Sequence, residues 1–355
     1  MKNTCFPLLI LVFFLACQSP KEESPTQVET EDRTYDFQWE TLSTPTQSSL
    51  RGLSAVSEEV VWVSGSVATL MRTNDGGQSW QTFPFDVPDS LQFRDVEAFG
   101  EDTAYVLSAG LPGLIFKTND GGESWTRQYE NNRPGIFLDG MAFWNAQQGV
   151  VMGDPLDESF VILCTENGGQ DWERIPADNL PDPADGEAGF AASGTNIVVQ
   201  GEAFACFASG GKRARVFRLT DRGQSWSAHE VPIKQGASSQ GIFSLAFADT
   251  LRGVAVGGDF LAPDDTSRIA AYTTDGGLSW QPAEQMPGGY RSGVAYFSGD
   301  KLFIATGTNG TDYSTDFGIT WLPLDTIGYH SIQPVPSQSV AWLSGDEGKV
   351  AKLRW

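Results

Sequence analysis

The sequence predicts an all-β fold, a closed seven-bladed β-propeller of four-stranded antiparallel blades, on three observations. One eight-residue pattern occurs six times: Thr73–Trp80, Thr118–Trp125, Thr165–Trp172, Leu219–Trp226, Thr273–Trp280 and Ser314–Trp321. Its tryptophans stand 45, 47, 54, 54 and 41 residues apart, the span of one four-stranded blade. Between the patterns runs a second landmark, an inner strand centred on Ala55, Ala98, Ala142, Ala191, Ala246, Ala295 and, in the seventh slot, Pro334. A further strand follows each, closing on Gly65, Gly110, Gly153, Gly201, Gly258, Gly307 or Gly345. Seven such pairs against six patterns leave the last blade without a pattern. Its third strand, Lys349–Trp355, ends the chain, and Phe37–Leu42 is expected to supply the fourth. That closure leaves no free sheet edge.

The octapeptide is the Asp-box, or BNR, repeat. Each copy reads as a tight turn between two antiparallel strands. The side chains of Asp75, Asp120, Asn167, Asp221, Asp275 and Asp316 accept backbone N–H groups within the turn, and the hydroxyls tie its other side. The glycine three residues before the tryptophan supplies a positive φ. Trp80, Trp125, Trp172, Trp226, Trp280 and Trp321 are then expected to wedge between blades. A calcium loop would need six to eight oxygens, whereas the third position of each box brings at most one carboxylate. The boxes are therefore scaffold, and neither a metal nor a cofactor is expected.

Residues 1–17 read as a bacterial lipoprotein signal. Lys2 precedes an apolar run, Leu8–Leu15, too short to span a bilayer, and the run closes on Phe14-Leu15-Ala16-Cys17, with Cys17 the lipidated residue. An ordinary secretory signal is the competing reading. Residues 18–36 are polar and acidic, a tether without a core of its own, and residues 37–355 form the propeller. The expected product is exported, monomeric and held in the cell envelope by its lipid. A net charge of −22 and the lack of a basic stripe argue against nucleic acid as a partner. With two histidines in the whole chain, a Cys/His metal set has no material to draw on. Cys164 and Cys206 fall in neighbouring blades, and either a disulfide or two buried thiols fits them. The chain contains no Gly-x-Gly, the core of a dinucleotide fingerprint, and no Gly-x-Ser-x-Gly nucleophile elbow.

The register of the landmarks points to a working face. Four residues before each one stand Arg51, Arg94, Leu138, Glu187, Ile242, Arg291 and His330, expected around the central opening. The loops between second and third strands emerge on the same face and carry Asp154, Glu202, Asp259 and Asp346, with Asp95, Asp139 and Arg215 adjoining. A mouth so charged is expected to receive a protein segment or an acidic ligand. The bland alternative is that these groups pair with one another.

Several stretches between the boxes are more specific than the boxes: Gly149-Val-Val-Met-Gly153-Asp154-Pro155, Gly186-Glu187-Ala-Gly-Phe-Ala-Ala-Ser193-Gly194-Thr195, and Gly210-Gly211 before Ala214-Arg215-Val216. With the boxes, they resemble the photosystem II stability/assembly factor-like family in its bacterial, lipid-anchored branch. That resemblance covers about residues 37–355 and implies a non-catalytic platform that grips another protein, such as a membrane-complex subunit. The competing function is a glycoside hydrolase of sialidase type, which shares the boxes. Its chemistry needs an arginine cluster, an acid and a tyrosine nucleophile paired with a glutamate, for which Tyr290 and Tyr329 are the available tyrosines. The Phe-Arg-Ile-Pro signature of such enzymes is absent, and Phe93-Arg94-Asp95 is its nearest fragment.

Overall fold

The computed structural model describes residues 35–221 and 225–355. The signal, Cys17 and residues 18–34 of the tether lie outside the described residues, as do residues 222–224 of the fourth box.

Seven antiparallel sheets follow one another around a ring. The inner strands are Leu50–Ala55, Gln92–Ala98, Leu138–Asn145, Ile197–Gln200, Gln240–Phe247, Gly293–Phe297 and Ser331–Pro334 for blades 1 to 7. The ring closes as the sequence implies. Gln38–Leu42 pairs antiparallel with Val350–Arg354, so the first described strand is the outer strand of the last blade. One addition was not anticipated. Glu187–Ala188 pairs with Gly210–Gly211, which pairs in turn with Gly241, so the fifth sheet carries two extra short strands.

The apolar core is divided among the seven junctions between blades. Trp80 and Trp342 share the cluster of blades 7 and 1, and Trp125 meets Trp62 and Phe83 between blades 1 and 2. Trp172, Trp226, Trp280 and Trp321 serve the next four junctions in order. The boxless seventh blade has Phe37 immediately before its outer strand, where the other blades have their box tryptophan. Phe37 packs on Tyr313 and Trp355 in the cluster joining blades 6 and 7. A phenylalanine thus fills the slot left without an indole.

Within each box the hydrogen bonds run as the residue types require. Asp75 Oδ1 accepts from the Ser79 N–H at 2.9 Å and Oδ2 accepts from its hydroxyl at 2.6 Å, while Thr73 Oγ1 accepts from the Gly77 N–H at 2.7 Å. Gly77 has φ +86°, a conformation that penalises any Cβ. Asn167 replaces aspartate in the third box and still accepts the Asp171 N–H at 3.1 Å, which explains why that lapse is tolerated.

A second device joins blades on the box face. The residue just before a box projects a cation onto the glycine of the next box: Arg72 Nη1 donates to Gly121 O at 2.9 Å, Lys117 Nζ to Gly168 O at 2.8 Å, and Arg218 Nε to Gly276 O at 2.6 Å. Lys352 of the last blade lies against Gly76 of the first box. Each cation also lies over an aromatic ring of its own blade, Arg72 over Trp62 at 4.9 Å and Lys352 over Trp342 at 4.8 Å among them. Blades 3, 5 and 6 have Cys164, Tyr272 and Tyr313 in this position instead. Cys164 and Cys206 are free thiols, and burial raises each, Cys164 to about 12.

Arg72 is 9 % exposed, and its carbonyl acceptor would keep no such partner without it. Arg72→Met is expected to lower the unfolding free energy by roughly 1–3 kcal/mol. Arg127→Met, at an exposed ion pair with Glu130, is expected to change it by less than about 0.5 kcal/mol. Urea denaturation measures both, and equal losses would mean the latch adds nothing.

Candidate functional site

The inner strands of blades 1, 2, 3 and 5 each contain a β-bulge, at Leu50/Gly52, Phe93/Asp95, Leu138/Gly140 and Ile242/Ser244. A bulged residue has no partner in the ladder, so its side chain is re-aimed. The bulged residues are Arg51, Arg94, Asp139 and Phe243. His330 takes the equivalent place in blade 7, since Ser331 pairs with Ser344 as Gly52 pairs with Ser64.

This register corrects part of the sequence reading. In blades 3, 5 and 6 the landmark alanine is one residue out of step, and a one-residue slip turns a side chain to the opposite face of a strand. Leu138 and Ile242 are accordingly buried in blade cores. Arg291 is turned away from the opening, 2 % exposed, with Nε donating to Asp312 at 2.6 Å and Nη1 to Asn309 Oδ1 at 2.8 Å. In blade 4 the slip is larger, because the inner strand is Ile197–Gln200 and neither Ala191 nor Gly201 lies within a strand. Glu187 is instead buried beside Arg215, which donates Nε to it at 2.9 Å. Glu202 lies in the turn between the first and second strands of its blade, on the box side. Asp259 ends a second strand as expected, and Gln240 donates to it at 3.0 Å.

What remains together is compact. A cavity of about 430 Å³ is lined on one side by Arg51, Arg94, His330, Asp154 and Asp346, and on the other by Phe137, Phe190, Phe243, Phe260 and Tyr290. Its floor is the segment Gly189–Ala192. Arg94 Nη1 donates to Ala191 O at 2.9 Å and Arg51 Nη1 to Ala192 O at 3.3 Å, while Asp154 accepts the Gly189 N–H at 2.8 Å. Phe190 stacks on Phe243 with ring centroids 3.9 Å apart. The aromatic wall and the floor were missed in the sequence reading. The run Gly186–Thr195 had been singled out for resemblance, but nothing in its residue types says that it crosses the opening.

The electrostatics follow from burial. Burial holds Arg51 below the usual arginine range, and burial together with the charge of Arg51 lowers Arg94 to about 10. Both remain cationic at neutral pH. Burial and Arg51 push His330 down to about 4, so it is neutral there, with Nε2 lying 2.9 Å from Asp346 Oδ1. Burial lifts Asp154, in the cavity lining, to about 6 and Asp95, outside that lining, to about 7. Burial also raises Asp139 and Glu97, helped by the charges of Asp154 and Asp95 respectively. Tyr290 lines the cavity and no glutamate does, while Tyr329 stacks on Trp39 in blade 7.

Carboxyls raised in the folded state bind protons more tightly than in the unfolded chain, where they titrate near 4. Their contribution to stability is fully present below about pH 4, and for Asp95 and Asp154 it is lost as pH rises through 6 to 7. The box carboxylates act oppositely. The hydroxyl and N–H of Ser79 and Ser124 hold Asp75 and Asp120 at about 2, so their stabilisation is lost between about pH 4 and 2. His330, lowered, opposes the raised carboxyls between about pH 6.5 and 4, one group against four. The propeller is expected to be more stable at pH 5.5 than at pH 7.5 and to weaken again below about pH 3.5. Denaturant titrations across that range check this, and stability that rises from pH 5.5 to 7.5 would contradict it.

With this geometry in place, the comparisons with known proteins fall into line. A family model described as photosynthesis system II assembly factor YCF48 matches residues 31–139. Among solved structures, one described as YCF48 from Cyanidioschyzon merolae superposes with a TM-score of 0.62 at 17 % identity, covering 89 % of this chain and 98 % of its own. Another, described as YCF48 bound to D1 peptide, superposes with a TM-score of 0.58 at 16 % identity, covering 89 % and 97 %. At such identities the superpositions speak for the fold. No curated protein matches the sequence. The chain is therefore a BNR-repeat β-propeller, similar over residues 31–139 to the photosystem II assembly factor family.

Proposed function

We propose that this protein is a non-catalytic binding scaffold whose central mouth receives an acidic segment of a partner protein. One observation carries the reading. Arg51 and Arg94 stand together at the opening, and each gives a single N–H to the floor of the cavity. A guanidinium has five donors, so each keeps N–H groups that no described residue takes up. Arg94 Nε is buried with no hydrogen-bond partner among the described residues. A carboxylate would satisfy these donors, and the aromatic wall opposite would cover an apolar side chain next to it. The peptide-bound state of a structurally similar propeller lends support to a protein ligand over a small molecule. Export and a lipid on Cys17 remain part of the proposal, on the strength of the signal-like sequence at residues 1–17. A subunit of a membrane complex is then the partner class within reach of an anchored monomer.

The test uses the full-length lipoprotein cross-linked in its native membrane. Arg51→Ala with Arg94→Ala is expected to cut recovery of its partners at least about tenfold, since charge-assisted hydrogen bonds to one carboxylate are lost. Recovery equal to wild type would remove the mouth from consideration. Arg291→Ala serves as a contrast. It strands Asp312 as a buried, unpaired acid and is expected to cost about 3–5 kcal/mol of stability, read by thermal melting.

A further inference from the structure

The connection from Arg174 to Ile197 is the longest between any two consecutive blades, and its second half contains Gly189–Asn196, which belongs to no blade. This half crosses the ring and meets five of the other blades. Arg51 of blade 1 and Arg94 of blade 2 donate to its carbonyls, and Asp154 of blade 3 accepts its Gly189 N–H. Ser331 of blade 7, whose hydroxyl donates to Arg51 O, lies 3.4 Å from Ser193 O. On the blade 5 side, Thr195 Oγ1 lies 2.5 Å from Ser244 Oγ and 2.7 Å from Ser193 Oγ, and Thr195 O accepts the Leu245 N–H at 2.8 Å. Ala191, Ala192 and Ser193 are all buried.

We infer that the segment Gly189–Thr195 is a hub that positions the guanidiniums of Arg51 and Arg94 for an anionic ligand. The inference deepens the proposed function and rests on the mouth being the binding site. Two like charges sharing a half-buried site repel, and long arginine side chains left to themselves would swing apart into solvent. Adjacent carbonyls on one fixed backbone instead pin one nitrogen of each. Because only one nitrogen is used, the hub orients the pair without saturating it. Preorganisation of this kind removes an entropic cost that the ligand would otherwise bear. Ala191 and Thr195 are therefore positioning residues, acting through the arginines.

The experiment compares wild type with the triple variant Ala191→Gly, Ala192→Gly, Thr195→Val. The variant keeps both carbonyls and both arginines but loosens the backbone and removes the Thr195 hydroxyl. The readouts are the arginine Nε–H NMR signals and their shifts on titration with sulfate. In wild type the Arg94 Nε–H should exchange slowly and shift with sulfate. In the variant it should exchange like an exposed arginine, and sulfate should bind about tenfold more weakly. Thr195→Val alone, which removes the hydroxyl held between Ser193 and Ser244, is the second variant should the triple one fail to fold, with a loss of about threefold expected. A protected Arg94 signal and unchanged sulfate affinity in a folded variant would overturn the hub while leaving the mouth as the binding site. Wild type that ignores sulfate would overturn the hub too, and full partner recovery by the Arg51/Arg94 double variant would show that the mouth reading had failed with it.

Discussion

The contact between neighbouring sheets is the interaction on which everything else in this molecule depends. A single four-stranded blade cannot bury its apolar faces, so each gains stability only by pressing against the next. Here the seven junctions hold seven separate apolar clusters, with a box tryptophan or Phe37 at each. The cation latches act on the same joints from the box face, adding direction to what hydrophobic contact leaves undirected. Closure by Gln38–Leu42 matters for the same reason, since an unclosed ring would expose one junction and two strand edges.

That rigidity permits the opposite face to be strained and polar. Bulges interrupt the inner ladders of four blades at one height, and each gives up regular pairing to aim a side chain inward. The carboxyls gathered there sit in surroundings that disfavour their charge, an arrangement a less firmly braced ring would relax. The segment crossing the ring answers part of this conflict. Its N–H groups and carbonyls give opposite charges something to bind other than one another.

The ring, its closure and its box wedges were legible because each follows from local chemistry repeated at a fixed period. A glycine, a hydroxyl, a carboxylate and an indole in order leave the chain few alternatives. Arg51, Arg94 and His330 were legible as residues of the opening because their blades follow the repeat in step, and Asp154 because it directly follows the landmark Gly153. Arg291 was not, since the landmark alanine of its blade stands one residue earlier in the strand, a slip that leaves composition unchanged. Residues following the bulge are small or polar, Gly52, Gly140 and Ser244 among them, and that is the signal a closer reading could have used. Glu187 and Glu202 failed for another cause: the insertion before blade 4 displaces both landmarks of that blade. The aromatic wall depends on contacts between Phe190, Phe243 and Tyr290, residues distant in sequence that no periodicity links.

An acidic ligand must approach a chain of net charge −22 to reach two arginines. Beyond a Debye length, about 8 Å at physiological salt, the approach is governed by that overall charge and is repulsive. Within the cavity the local guanidiniums dominate, because half-buried charges are poorly screened by salt. The two ranges therefore respond to salt in opposite ways. Screening weakens the long-range repulsion more than the contact attraction, so association with an acidic segment should quicken between about 20 and 150 mM salt while dissociation changes little. Stopped-flow binding of a captured partner segment measures both rates. Association that slows with salt would mean that the field of the mouth, not of the whole chain, reaches out to its ligand.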